Sequence, residues 1–217
     1  VVLSRGLGDV YKRQIIFIVI KSIYYNYYMI EDNNNNLIWL DLEMTGLGEE
    51  HVILEVAIII TDEKLNIMDK FPDSKLGLAI KRSKEELSKI EPWSLNQHTK
   101  SGLLKRSKES ECTIDRAQDL VLEFISERIK PNKGILCGNS IWVDRKFLKK
   151  EMPLVEKYLF YRMIDVSSIK ELVLRWYSDV KFPEKSKTHL AMEDITESID
   201  ELISVSYTHL TLPTISD

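Results

Sequence analysis

The chain has 217 residues, 44% of them hydrophobic, which is enough for one substantial core and short enough for a single domain. Its net charge of −4 is concentrated in the body, because Arg5, Lys12, Arg13 and Lys21 outweigh Asp9 near the start. An acidic body excludes non-specific wrapping of long nucleic acid, whose affinity comes from Lys and Arg on phosphates, and leaves short strands or strands reached through bound cations. Cys112 and Cys137 lie far apart without a His cluster, which excludes a zinc ribbon and a disulfide scaffold and fits a reducing compartment.

In chain order, residues 1–14 show no helical or strand period, and Ile15–Ile20 is an apolar run of six that ends at Lys21. It is too short to span a membrane or to serve as a signal peptide. Residues 1–29 therefore read as a non-native or targeting-like extension, with a mitochondrial presequence open because Asp9 is the lone acid before Glu31. A domain is expected over 30–204 and a non-native-looking tail over 205–217, whose SYTHLTLPTISD breaks the preceding helical pattern. Within the domain, strands are predicted at 37–43, 52–60, 65–71 and 78–81, with one later strand at 134–139. Helices are predicted at 84–100, 113–129, 144–151, 166–177 and 189–203, where Leu, Ile, Val and Phe recur every three or four residues. Strands first and then helices around one more strand predict an α/β fold, a mixed sheet covered on both faces. Trp93 and Trp176 sit at helical spacing from apolar neighbours and are expected in the core.

The chemistry-bearing residues emerge in the same order. Asp41 and Glu43 are two apart at the end of the first strand, so both carboxylates share a face and repel each other unless a cation or proton lies between them. Alone, such a pair is more readily a solvated strand edge, since short motifs match by chance. Asp144 follows the late strand at a helix start, where a lone acid needs no explanation beyond the helix dipole. His189 and Asp194 belong to the last helix. Five residues apart, they lie roughly 140° apart around its axis, so they are not stacked ligands of one ion and a division of labour fits better. Lys105, Arg106 and Lys108 read as a solvated helix face rather than an RNA contact.

Together, Asp41, Glu43, Asp144, His189 and Asp194 match the DEDDh exonuclease pattern, whose last motif is H-x4-D. DLEMTGL (41–47), HTKSGL (98–103), CGNS (137–140), YRMIDVSSIKEL (161–172) and THLAMEDITESI (188–199) more specifically resemble oligoribonuclease, over residues 36–204. The resemblance implies a ribonuclease H-like fold and a homodimer acting on short single-stranded RNA. It also implies two divalent cations, Mg²⁺ or Mn²⁺, on Asp41, Glu43, Asp144 and Asp194, with His189 as general base. Leu47 resembles the family's wedge between bases, and His98 and Ser140 resemble contacts to the nucleotide phosphate or sugar. Tyr161, Arg162 and Ser167 resemble the cap on the 5′ phosphate, with Tyr161 supplied by the partner subunit. The expected setting is cytoplasmic, or else mitochondrial, with no membrane association. A proofreading-type deoxyribonuclease of the same superfamily would keep the five catalytic residues but lack the YR-x-x-DVS block. A non-catalytic RNA-binding module or a structural protein would have no reason to hold a complete metal set. Trp142 stands where the family commonly has a small or polar residue, Glu193 stands where many relatives have Asp, and the family's final segment is missing after Ser204.

Overall fold

The alternation of β1 (Leu37–Met44) decides how the layers stack. Ile38, Leu40 and Leu42 enter one core, while Leu37 and Trp39 enter a second on the opposite face. β2 (Ile53–Thr61) is buried along its whole length, as an unbroken apolar run in a central strand must be, and pairs antiparallel with β1. The computed structural model describes residues 35–177, 182–183 and 190–209. β3 (Ile67–Phe71) and β4 (Leu78–Ala79) pair antiparallel with β2, whereas β5 (Ile135–Gly138) and β6 (Met163–Asp165) extend the sheet in parallel beyond β1. The order is β3-β2-β1-β5-β6, with β4 alongside β2. This is the mixed sheet expected, except that β6, only three residues long, carries too little periodicity to be read from sequence.

Among the described residues the helices are α1 (Lys84–Ser88), α2 (Pro92–Lys100), α3 (Leu103–Glu109), α4 (Ile114–Ser126), α5 (Trp142–Glu151), α6 (Pro153–Tyr158), α7 (Val166–Trp176) and α8 (Ala191–His209). α4, α5 and α6 cover the Ile38 face through Val121, Ile125, Phe147, Leu148 and Val155. α7 and α8 cover the Trp39 face through Val166, Ala191, Met192, Ile195 and Ile199. The helix predicted over 84–100 is two helices, because Pro92 has no N–H to continue α1 but suits the first turn of α2. Gly102, at φ +75°, then turns the chain into α3, a conformation that costs glycine little. α8 continues to His209 with Val205 buried, so it runs past the 189–203 predicted and into the SYTHLTLPTISD segment expected to break it.

Trp93 and Trp176 are not core residues: they are 60% and 66% exposed. Helical spacing identifies a stripe but not whether another element covers it. Trp176, the last residue of α7, lies at an apolar cleft shared with Leu172, Val173, Leu202 and Val205. Residues 1–34 and 210–217 lie outside the described residues. No described helix is long and apolar enough to cross a membrane.

The β1–β2 ladder shifts register between Glu43 and Met44, and Ile53 sits at that irregularity. Its N–H donates to Glu151 Oε2 at 2.7 Å, and its carbonyl accepts from Arg82 Nε at 2.7 Å. Arg82 Nη2 reaches the same Glu151 oxygen at 2.8 Å. Replacing Arg82 with Met leaves the largely buried Glu151 without its cation, so Arg82→Met should destabilise by about 3 kcal/mol in urea unfolding. Arg82→Met combined with Glu151→Leu should recover part of that loss; an equal or larger loss in the double variant would show that charge pairing is not what matters there.

Candidate active site

Asp41 and Glu43 continue the stripe that begins with Leu37 and Trp39, so they lie on the face that α8 covers. The buried side of α8 includes Met192 and Ile195, and Asp194 stands between them in its first turn. Asp41, Glu43 and Asp194 thereby each offer a carboxylate oxygen, all within 4.8 Å of one another. Asp144 enters from the first turn of α5, just beyond β5, and its Oδ1 accepts the Leu42 N–H at 3.0 Å. It is buried and stands outside that mutual 4.8 Å triangle, yet its charge bears directly on Asp41. Four of the five catalytic candidates thus gather at one end of β1. His189 and the expected cap Thr188 lie outside the described residues.

Burial and repulsion dominate the electrostatics. Burial, followed by Asp144, Glu43 and Asp194, holds the Asp41 carboxyl well above the usual range. Burial first and then Asp194 push Glu43 up to about 8, with Arg106 working in the opposite sense. Burial raises Asp144 to about 7 despite the Leu42 amide that favours its charged form. A divalent cation among these oxygens would relieve both penalties, and an all-carboxylate donor set suits a hard ion. The chain is built to hold divalent metal at this point.

The remaining site residues surround this cluster. Leu47 is 61% exposed on the turn after β1. Gly46, before it, has no room for a side chain, since a Cβ would lie 2.6 Å from both His51 and Glu91. His98 on α2 is buried: its Nε2 donates to the Met44 carbonyl at 2.8 Å and its Nδ1 lies 3.8 Å from Glu43 Oε2. It therefore reaches the carboxylate cluster rather than open surface. Ser140, at φ +49°, donates its N–H to Asp165 Oδ1 and to Ser167 Oγ, each at 3.0 Å. Ser167 Oγ donates in turn to Asn139 Oδ1 at 3.0 Å, so Ser140 and Ser167 form one polar nest in the same chain. Tyr161 is 66% exposed, and its hydroxyl accepts from Arg162 Nε at 2.8 Å. Arg145, from α5, fixes the Tyr161 carbonyl at 2.9 Å.

Three residues at the site escaped sequence reasoning. His51 is buried under the Leu47 turn, with Nδ1 3.1 Å from Thr45 Oγ1 and Nε2 3.2 Å from Glu91 Oε1. Glu55 is buried on β2 opposite Glu43, and Arg106 is its ion-pair partner rather than part of a solvated face. Glu55 had a legible signal, being a charge inside the apolar run VILEVAIII; His51 and Arg106 had none.

An exonuclease family model, RNase_T, matches residues 38–202. A probable oligoribonuclease of Dictyostelium discoideum is 44% identical over 85% of this chain and 95% of its own length. The oligoribonuclease of Vibrio cholerae is 46% identical over 78% of this chain and 93% of its own. Among solved structures, exonuclease I from Methylocaldum szegediense superposes with a TM-score of 0.61 at 15% identity, covering 81% of this chain and 41% of that one. The zinc-bound complex of E. coli exonuclease I with single-stranded DNA gives a TM-score of 0.63 at 12% identity, over 82% and 41%. The chain thus spans about two fifths of these structures, and at such identities the likeness shows the ribonuclease H-like fold alone. The family model and the full-length relatives carry more: the chain belongs to the oligoribonuclease family of DEDDh exonucleases.

Proposed function

We propose that the chain is a 3′-to-5′ exoribonuclease that hydrolyses short oligoribonucleotides, dinucleotides above all, to nucleoside 5′-monophosphates with two Mg²⁺ or Mn²⁺ ions. The observation that carries this reading is the convergence of Asp41, Glu43 and Asp194, with Asp144 beside them, in a chain of this family. A metal pair, when bound, orients the scissile phosphate, activates the attacking water and stabilises the leaving oxygen. The four carboxylates would hold it in a setting that burial has made costly for bare negative charge.

His189 precedes Asp194 by five residues and is the candidate base. An imidazole there takes the proton of the attacking water, a task suited to an unperturbed pKa near 6.5. We assign Leu47 to the wedge between two bases, a role that its exposure on a turn crowded by Gly46 and His51 supports. The Ser140–Ser167 nest offers hydroxyls to a phosphate, and Arg162 adds a cation. We assign Tyr161 to a partner subunit's site in a homodimer, which its exposure and that of Leu172, Leu174 and Trp176 supports. The unpaired thiols Cys112 and Cys137 fit a cytoplasmic setting, with mitochondria as the alternative.

Labelled RNA dinucleotide and tetranucleotide, with a DNA dinucleotide beside them, should separate the possibilities. RNA dinucleotide should be consumed fastest, and only with Mg²⁺ or Mn²⁺. Asp41→Asn, Glu43→Gln, Asp144→Asn and Asp194→Asn should each lower the rate by about a thousand-fold, as expected for several kcal/mol of barrier. Preference for DNA would identify a deoxyribonuclease, and metal-independent binding without cleavage would identify a binding module.

The raised carboxyls also fix a pH dependence of stability. In the metal-free fold they bind protons that the unfolded chain has already released, so their contribution is complete below their ordinary pKa near 4 and is lost as pH rises. The loss is spread up to about pH 8, where Glu43 titrates. Thermal melts of metal-free protein should show the midpoint falling across this window, and Glu43→Gln or saturating Mg²⁺ should flatten the slope. An unchanged slope in both would remove these groups from a shared site.

Mixing Tyr161→Ala subunits with Asp144→Ala subunits should restore activity to mixed dimers, since one site then combines an intact metal set with an intact partner tyrosine. No recovery in verified mixed dimers would place Tyr161 in its own subunit's site.

A further inference from the structure

We propose that Glu55 and Arg106 form a positioning pair that sets the first turn of α8, and through it Asp194 and the metal affinity of the site; this rests on the metal-dependent reading above. Glu55 is 1% exposed and lies directly across the ladder from Glu43. Ala57 and Ile59, two and four residues further along β2, pack against α8, so the Glu55 side chain shares their face. Its carboxylate lies beside the backbone N–H groups of Ala191, the first residue of α8, and of Gly77, both of which favour its charged form. Oε1 lies 2.6 Å from Arg106 Nη2, and Arg106 Nη1 donates to the Gly77 carbonyl at 3.2 Å.

One carboxylate thus joins β2, the turn before β4, α3 and the N-terminus of α8. A Cβ on Gly77 would come within 2.5 Å of Glu55 Cγ, so that turn presses directly on the carboxylate. The first amides of a helix have no partner within the helix and carry its positive end, so a buried anion is the matched acceptor for them. Ala191 and Asp194 are three residues apart, less than one turn, and a slip at Ala191 passes to the ligand without slack. Glu55 is not itself a ligand candidate: among the described residues the converging set is Asp41, Glu43 and Asp194, and Glu55 is already ion-paired with Arg106.

Two variants separate positioning from folding. Glu55→Leu with Arg106→Met removes the ion pair without leaving a buried charge but takes away the anion beside the Ala191 N–H. Glu55→Gln is nearly isosteric, yet turns an amide toward Arg106, which has no acceptor to offer it. Mn²⁺ binding, read by electron paramagnetic resonance of the free ion in the absence of RNA, should weaken about 10- to 100-fold in the double variant and less in Glu55→Gln. At saturating Mn²⁺ most of kcat should return, with KM for the dinucleotide unchanged. Wild-type Mn²⁺ affinity in either folded variant overturns the proposal, and if the double variant does not fold, Glu55→Gln decides alone. Failure of the wild-type protein to bind Mn²⁺ would instead overturn the metal-dependent reading beneath it.

Discussion

Carboxylates on the buried face of a central strand repel one another across a medium that screens poorly, and the rest of this fold is arranged around that repulsion. The apolar stripe of Leu37 and Trp39 runs without interruption into Asp41 and Glu43. α8 covers both parts with one helix, packing Ile195 and Ile199 against the first and bringing Asp194 to the second. Stability and chemistry therefore meet on the same surfaces, and neither can be altered there without the other.

The surrounding polar contacts limit how that repulsion can relax. His98 is fixed to the Met44 carbonyl and faces Glu43, while Asp144 is tied to the Leu42 amide. Both bonds reach the strand that carries Asp41 and Glu43, so the carboxylates cannot separate by moving the backbone away. The remaining routes are protonation, which the raised pKa values express, and capture of a cation.

Much of this was legible in the sequence, for reasons that particular residues make plain. Asp41 and Glu43 could be placed on one face because strand alternation has period two and the flanking residues are apolar. Asp194 could be placed on a helix but not toward the sheet, since only packing of Met192 and Ile195 sets the rotation of α8. Arg106 looked like one of three solvated cations because its partner lies 51 positions earlier, and no local pattern reports a contact at that separation. Trp93 and Trp176 went astray for the complementary reason: spacing describes the helix, while burial depends on what lies opposite it.

The Leu42 amide that holds Asp144 has one more effect. That bond takes one lone pair of Oδ1 and fixes the direction of the Asp144 carboxylate, leaving Oδ2 and the remaining lone pairs for a cation. A single backbone hydrogen bond in β1 thereby orients a carboxylate carried by α5, so that the strand aims a donor it does not itself bear.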